Sequence, residues 1–235
     1  MAQSAGKARM KELLEKFLPD LMPLAHKQLF EYYSLLIKSN ETMNLTRITA
    51  PLEVVQKHFL DSLLASPYIG EGAACIDVGT GAGFPGIPLL IARPDIKLTL
   101  LESQAKRAGF LKEVVDTIGL RATIINLRAE EAARVPSHRE QYDIALSRAV
   151  AKLNTLLELT LPFVKVFGSA ICYKGKAPKE EAALAAKACE KLFCTLTIKE
   201  MSLEYGERSL VFAKKQASTP ALYPRKPGEP VHKPL

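Results

Sequence analysis

The stretch Cys75-Ile-Asp-Val-Gly-Thr-Gly-Ala-Gly-Phe-Pro-Gly-Ile-Pro88 decides the fold. It is typical of a β-strand end followed by a glycine-rich loop and the start of a helix. Glycines let a loop turn tightly and approach a ligand closely, and the helix behind it offers free backbone N–H groups. Gly81–Gly86 fits the dinucleotide pattern G-x-G-x-x-G, which by itself is a weak signal. A purely structural glycine turn is the alternative.

Two carboxylates indicate which ligand this loop binds. Glu102 ends the next predicted strand, about 19 residues after Gly83, where a carboxylate accepts both ribose hydroxyls of a nucleoside cofactor. Asp77 directly precedes the glycines, where it would repel a pyrophosphate but suits a cationic sulfonium amino acid. We therefore expect S-adenosylmethionine as the cofactor. An NAD(P)-linked oxidoreductase is the alternative, although the sequence contains no Tyr-x-x-x-Lys or catalytic histidine arrangement.

Outward from this stretch, short apolar runs alternate with helical segments, which predicts a mostly parallel sheet covered by helices on both faces. The predicted strands are Ala74–Val78, Lys97–Glu102, Ala122–Asn126, Tyr142–Ser147, Ser169–Lys174, Thr195–Leu203 and Ser209–Lys214. The predicted helices between them are Gly86–Ala92, Ala105–Ile118, Glu130–Arg134, Leu153–Lys165 and Lys179–Lys191. Only Glu204–Arg208 separates the last two strands, so we expect them to form an antiparallel hairpin.

Composition excludes several classes of protein. The chain has 235 residues, of which 48% are hydrophobic and 24% charged, as in ordinary globular domains. Its apolar runs are far shorter than the roughly 20 residues that a membrane helix needs, and its N-terminus lacks a signal-peptide pattern. We expect a soluble cytoplasmic monomer that contacts no membrane. The four cysteines and four histidines show no ligand spacing, so no metal site is expected.

Two further strand ends carry candidate ligand contacts. Ala129-Glu130 follows the third strand and can offer a backbone N–H and a carboxylate to an adenine edge. Alternatively, Glu130 is a first-turn residue that the helix dipole favours. Arg148 ends the fourth strand, where it can stack on or hydrogen-bond a nucleobase. Alternatively, it pairs with a neighbouring carboxylate.

The segment before the sheet is predicted to be helical, with a third helix from about Pro51 to Ser66. His58 and Asp61 lie three residues apart on this helix, and we expect them to form a pair on the helix surface. The alternative is that His58, together with Asn44, shapes the roof of the ligand pocket.

Several motifs together resemble one known family. They are Asn44-Leu-Thr46, His58-Phe-Leu-Asp-Ser-Leu63, Asp77–Pro88, Leu101-Glu-Ser103 with Lys106-Arg107, Arg128-Ala-Glu130, Ser147-Arg-Ala-Val150, Tyr173-Lys-Gly175 and Tyr223-Pro-Arg-Lys-Pro-Gly228. They resemble the glucose-inhibited division protein B family, the small-subunit ribosomal RNA methyltransferases also called methyltransferase G. The resemblance covers nearly the whole chain.

This resemblance implies a class I S-adenosylmethionine-dependent methyltransferase fold, which is Rossmann-like with a mostly parallel seven-stranded sheet and a C-terminal antiparallel hairpin. It implies methylation of guanine N7 in the decoding-region loop of bacterial 16S rRNA. The family's cofactor contacts fall on Gly79, Phe84, Glu102, Ala129-Glu130 and Arg148. We expect three parts, namely an N-terminal helical cap (1–70), a methyltransferase domain (71–216) and a basic, proline-rich C-terminal arm (217–235).

A guanine N7 substrate agrees with a sequence that shows no evident catalytic dyad. Guanine N7 carries a lone pair and no proton, so an in-line displacement needs no general base, and we assign no catalytic residue. The formal net charge of +7 is concentrated toward the C-terminus and favours binding to a polyanion such as small-subunit rRNA. The alternatives are solvated charges without a partner and a catalytically silent RNA-binding module. The candidates for RNA contact are Lys106, Arg107, Lys174, Lys176, Arg225 and Lys226.

Overall fold

The structure, a computed structural model, describes residues 2–235. Its strands are β1 (Ala74–Val78), β2 (Lys97–Leu101), β3 (Ala122–Ile125), β4 (Tyr142–Arg148), β5 (Val164–Lys174), β6 (Cys194–Leu203) and β7 (Gly206–Lys215). Within the described chain these seven strands form one sheet in the order β3-β2-β1-β4-β5-β7-β6. β1 to β5 run parallel to one another, whereas β7 runs antiparallel to both β5 and β6.

Helices surround the sheet on both faces. They are α1 (Ala2–Phe17), α2 (Pro23–Met43), α3 (Pro51–Val54), α4 (Asp61–Leu63), α5 (Gly86–Ala92), α6 (Ala105–Ile118), α7 (Ala129–Ala132), α8 (Leu153–Thr160), α9 (Pro178–Leu184), α10 (Ala186–Leu192) and α11 (Glu229–His232). A π-helical turn, Val55–Leu60, joins α3 to α4, and 3-10 turns span Ser66–Tyr68 and Leu161–Phe163.

The predicted mostly parallel seven-stranded sheet and its C-terminal hairpin are confirmed, and the largest differences from the prediction concern three elements. Strand β5 begins at Val164, not Ser169, because α8 ends at Thr160, where Pro162 cannot continue the helix. The helix predicted over Lys179–Lys191 is two helices that meet at Ala185. The third helix of the cap contains the π-helical turn that the sequence pattern did not predict.

Two hydrophobic cores cover opposite faces of the sheet. One core joins the cap helices to α5 and α6, and it includes Leu29 and Phe110. The other joins α8 and α10 to the C-terminal arm, and it includes Tyr223. Neighbouring residues of β1 alternate between them, with Cys75 in the first core and Ile76 in the second, as the two-residue period of a strand requires. The cap and the arm therefore pack on different faces of the same sheet.

The arm is ordered against the body through charged side chains. Arg139 donates to the carbonyl oxygens of Thr219 and Tyr223 at 2.8 and 2.9 Å. Arg225 binds Glu158 of α8 through both its backbone and its guanidinium N–H groups. The C-terminal segment is therefore an arm that lies on the body of the protein. Among residues 2–235, no helix combines the length and apolarity that crossing a membrane requires.

Candidate active site

The glycine loop between β1 and α5 is built around two backbone positions that exclude other residues. Gly79 and Gly83 have φ of +70° and +104°, in the region that side chains disfavour. A Cβ on Gly79 would lie 2.7 Å from Val150 Cγ2, and one on Gly83 would collide with Ile87 Cδ1. A Cβ on Gly81 would meet nothing within 4 Å, so the loop faces open space there.

Asp77 lies behind the loop and fastens it. Its Oδ2 accepts hydrogen bonds from Thr80 Oγ1 at 2.6 Å and from the Gly86 N–H at 2.8 Å. The side chain is completely buried, and Oδ1 has no hydrogen-bond partner among the described residues. Burial raises the pKa of Asp77 to about 6, although both hydrogen bonds oppose this rise. Asp77 therefore shapes the loop and supplies negative charge from beneath it.

Glu102 ties the end of β2 to the same loop. Its Oε2 accepts from the Gly81 N–H at 3.0 Å, and its Oε1 accepts from the Gln104 N–H at 2.8 Å. Asn126 donates to the Glu102 carbonyl oxygen, which holds the backbone of β2 to the residue that follows β3. The carboxylate thus lies beside the glycine loop at the carboxyl edge of the sheet, where open α/β sheets bind their ligands.

The start of α7 forms a third corner of this edge. The Ala129 and Glu130 N–H groups are the first of the helix, and they have no acceptor within residues 2–235. Glu130 is buried, and its Oε1 accepts a hydrogen bond from the Gly228 N–H of the arm at 2.8 Å. Glu130 is therefore a first-turn residue that also contacts the arm.

Arg148 ends β4 and is held by the cap. Its Nη1 donates to Asp61 Oδ2 at 2.8 Å and to the Lys57 carbonyl oxygen at 3.1 Å. Its Nη2 lies 3.1 Å from His58 Nδ1, and the guanidinium carbon lies 5.1 Å from the centre of the Phe84 ring. The strand-end ion pair that we considered for Arg148 is present in the structure.

His58 and Asp61 do not pair with each other, which corrects the surface pair expected from their spacing. Burial, and then the charge of Arg148, lower the pKa of His58 to about 3, so the imidazole is neutral. Because Nδ1 accepts from Arg148, the proton is assigned to Nε2, which donates to Thr46 Oγ1 at 2.9 Å. Asp61 is shared between Arg148 and Arg208, whose Nε lies 2.6 Å from Oδ1.

The Phe84 side chain packs between the glycine loop and the cap. Its ring stacks on His58 with the centres 4.2 Å apart and an interplanar angle of 17°, and it packs against Tyr32 at 5.4 Å. The Tyr32 hydroxyl, which is fully buried, donates to the Ala82 carbonyl oxygen at 2.6 Å. The cap therefore forms one wall of the site. Asn44, considered for the same wall, is exposed at the left-handed end of α2.

Sequence reasoning missed two residues of this wall. Tyr32 belongs to the apolar face of α2, and its spacing is that of any core residue. For Arg208 the sequence pattern indicated only a place in the turn between β6 and β7. The one signal for Arg208 is chemical, because a buried Asp61 requires cationic partners that the sequence does not place nearby.

The six candidates for RNA contact fall into two groups. Lys106, Lys176 and Lys226 are exposed and Arg107 is half-buried. Lys174 instead pairs with Glu181 at 2.7 Å and donates to the Ala151 carbonyl oxygen.

Arg225 likewise pairs with Glu158, which is fully buried. The structure thus gives Lys174 and Arg225 partners within the protein. Because a carboxylate already pairs with each cation, these two residues are disfavoured as contacts for RNA phosphates. Within residues 2–235, no group of three or more His, Cys, Asp or Glu side chains is arranged to hold a metal ion.

Comparison with known proteins identifies close relatives of this chain. The family model described as rRNA small subunit methyltransferase G matches residues 25–211. The ribosomal RNA small subunit methyltransferase G of Alkaliphilus metalliredigens is 49% identical over 215 residues, covering 89% of this chain and 90% of that protein. The protein of the same name from Halalkalibacterium halodurans is 44% identical over 214 residues, covering 88% and 90%.

Among solved structures, a SAM-dependent methyltransferase from Aquifex aeolicus is similar with a TM-score of 0.51. The two share 18% identity, over 69% of this chain and 93% of that one. At this identity the likeness shows the fold, which is that of the class I S-adenosylmethionine-dependent methyltransferases.

Proposed function

The chain belongs to the rRNA small subunit methyltransferase G family, and from this we propose that it methylates N7 of a guanine in the decoding-region loop of bacterial 16S rRNA. It is an S-adenosylmethionine-dependent methyltransferase, and small-subunit rRNA is its substrate class. The observation that carries the proposal is the meeting of the glycine loop, Glu102 and the start of α7 at one edge of the sheet.

The residues at this edge fit S-adenosylmethionine. The open space at Gly81 leaves the backbone accessible, and the Ala129 and Glu130 N–H groups are free to meet acceptors of an adenine ring. The unpartnered Oδ1 of Asp77 adds a negative centre beneath the loop, which suits a sulfonium and not a pyrophosphate. These features favour the methyl donor over NAD(P).

We assign the donor contacts as follows. Glu102 accepts the ribose hydroxyls, and Ala129-Glu130 binds the adenine edge. We further propose that the amino-acid end of the donor lies by Gly79, Phe84 and Arg148, on which the cofactor contacts of the family fall.

One residue changes role relative to the sequence prediction. Asp77 acts through the loop that it holds, because its side chain is buried. Glu102 keeps the predicted role, since each of its carboxylate oxygens accepts one hydrogen bond within the protein and retains a lone pair for a ribose hydroxyl.

The chemistry that we propose needs no proton transfer by the protein. When bound, S-adenosylmethionine would supply an electrophilic methyl group. The lone pair of guanine N7 would attack the methyl carbon in line, so that the N–C bond forms as the C–S bond breaks and S-adenosylhomocysteine leaves. His58 is neutral and hydrogen-bonded through both ring nitrogens, and Asp61 is neutralised by two arginines. These groups position Arg148 and Phe84, so that catalysis rests on orientation and on exclusion of water.

RNA binding is assigned to the four candidates that are exposed or half-buried and that form no ion pair with a carboxylate among residues 2–235. Lys106, Arg107, Lys176 and Lys226 are the residues that we propose to contact phosphates. The substrate is the rRNA or the small subunit, and the protein acts on it as a monomer in the cytoplasm. No obligate protein partner is required.

The proposal is tested by incubating the protein with methyl-labelled donor and small subunits from cells that lack this modification. Borohydride and aniline cleave RNA at N7-methylguanine, so we expect label in the rRNA together with cleavage at one guanine. Gly79→Asp, which blocks the loop, should abolish both. Bound S-adenosylhomocysteine without transfer to rRNA would instead support the silent RNA-binding module. Binding of NADH without S-adenosylhomocysteine would support the oxidoreductase.

A further inference from the structure

A single hydrogen bond joins the C-terminal arm to the corner of the site that is assigned to adenine. The Gly228 N–H donates to Glu130 Oε1 at 2.8 Å, and the Glu130 side chain is buried. Gly228 has φ of +84° and directly precedes α11, so the arm turns sharply at this contact. One carboxylate oxygen is thereby fixed by the arm.

The rest of the corner presents a defined set of hydrogen-bonding groups. Glu130 Oε2 receives no hydrogen bond from residues 2–235, so it remains an acceptor. The Ala129 and Glu130 N–H groups remain donors. Adenine offers an amine donor at N6 and an acceptor at N1, which complements this set. Hypoxanthine offers an acceptor at O6 and a donor at N1, which is the reverse.

The position of Gly228 is set by α8 and not by the adenine corner itself. The Arg225 guanidinium and backbone N–H together make four hydrogen bonds to Glu158, whose side chain is fully buried. On the other side of the turn, Thr155 Oγ1 donates to the Pro230 carbonyl oxygen at 3.1 Å. Two anchors on one helix therefore hold the turn from both sides.

We propose that the arm is a positioning element for the adenine of the methyl donor. By occupying Oε1, the Gly228 N–H directs the other oxygen of Glu130 to the exocyclic amine, which makes the arm a determinant of adenine over hypoxanthine. This inference rests on the proposed function, because it takes the start of α7 as the adenine contact.

The test compares binding of S-adenosylhomocysteine with binding of S-inosylhomocysteine by calorimetry. The wild type should prefer the adenine compound by about tenfold or more, since the wrong base leaves buried groups unpaired. Gly228→Val disfavours the left-handed turn and should weaken only the adenine compound, so that the preference falls toward one. Gly119→Val is the matched control, since Gly119 also has a positive φ (+69°) with free space around it but lies at the end of α6. It should retain the preference.

Glu130→Gln gives a second and independent measurement. Because the Gly228 N–H requires an oxygen at the first position, the amide NH2 takes the second position and faces the base. The variant should then lose most of its preference for the adenine compound, because the amide NH2 opposes N6 while the backbone N–H groups still suit N1. In the double variant with Gly228→Val the amide is free to turn its oxygen to the base, and part of the preference should return.

Equal weakening of both ligands in Gly228→Val, or an unchanged preference in Glu130→Gln, would overturn the proposal. Methyl transfer to small subunits at saturating donor is measured in parallel on the wild type. Transfer without the predicted preferences contradicts the role of the arm alone. The predicted preferences without transfer contradict the proposed function alone.

Discussion

The cap and the arm approach the same edge of the sheet from opposite faces, and they do so with different chemistry. The cap contributes a tyrosine hydroxyl on the glycine loop and a neutral imidazole stacked on Phe84, from Tyr32 and His58. The arm contributes the ion pair between Arg225 and Glu158 and one backbone N–H. The cap thus contacts the glycine loop through neutral groups, although its Asp61 also forms an ion pair with Arg148, whereas the arm is anchored by a buried charge pair.

This difference predicts how each coupling fails. A buried ion pair is costly to break from one side because the remaining charge stays desolvated. Losing a neutral hydrogen bond costs less free energy. Most of that cost comes from the donor or acceptor that is left buried without a partner. The stability of the arm should therefore depend on paired residues, whereas the contact between the cap and the glycine loop should depend on single neutral groups.

The largest expected effect is on the arm. Arg225→Met leaves the fully buried Glu158 without its partner, and it should lower the free energy of unfolding by about 3–5 kcal/mol in urea titrations. Lys226→Met, at the exposed neighbouring position, should change it by no more than about 0.5 kcal/mol. The double variant Arg225→Met/Glu158→Leu should recover most of the loss. Equal effects of Arg225→Met and Lys226→Met would remove the distinction between arm and cap.

A smaller effect is expected on the cap. Tyr32→Phe leaves the Ala82 carbonyl oxygen without its donor, and it should cost about 1–3 kcal/mol of unfolding free energy. It should also weaken S-adenosylhomocysteine binding, because the glycine loop loses a tie. Tyr33→Phe is the control, since its hydroxyl makes only a 3.4 Å contact with the Thr49 carbonyl oxygen. If the two variants bind S-adenosylhomocysteine equally well, the cap contributes to the site through packing alone and not through the Tyr32 hydrogen bond.

The pH dependence sharpens the comparison further. The pKa of His58 is about 3 in the folded protein, so below pH 6.5 the unfolded chain binds a proton that the folded one does not. Folding stability that is present above pH 6.5 is then lost at up to about 1.4 kcal/mol per pH unit as the pH falls. Asp77, with its pKa raised to about 6, acts in the opposite direction between pH 6 and 3.8.

For this reason the two contributions must be separated by a variant. We expect the difference in unfolding free energy between wild type and His58→Gln to be nearly constant above about pH 7.5. Between pH 6.5 and 5.5 it should shrink by about 1 kcal/mol, measured by urea titration at each pH. A difference that does not change with pH would contradict the neutral, buried state of His58.

The smallest effect concerns RNA binding. Lys176→Gln should reduce the slope of log affinity against log salt for a 16S rRNA fragment by about 0.7–0.9, which is the value for one phosphate contact. Lys174→Gln, two residues away but paired with Glu181, should leave the slope unchanged. Filter binding over a salt series measures both, and equal slopes for the two variants would contradict the division of the candidates into two groups.

The sheet and the edge where the site lies could be predicted from the sequence because both depend on local patterns. The apolar runs set the strands, and Glu102 had to lie near the glycine loop because parallel strands end at one edge. The inward turn of Asp77 could not be predicted. It depends on where the Gly86 N–H points, which the backbone angles of the loop decide.

Contacts over long sequence separations were also beyond prediction. Arg225 and Glu158 lie 67 residues apart, so nothing in the basic tail distinguished a buried cation from a free one. The spacing of His58 and Asp61 predicted a pair, but the π-helical turn shifts the helical register between them, and both face β4 instead.

The central claim is that the glycine loop, Glu102 and the start of α7 together bind the methyl donor. It is tested most directly by a crystal structure of the protein with S-adenosylhomocysteine. We predict the ribose hydroxyls on Glu102 and the adenine edge on Ala129 and Glu130. A ligand bound elsewhere, or a ribose that makes no hydrogen bond to Glu102, would contradict the claim.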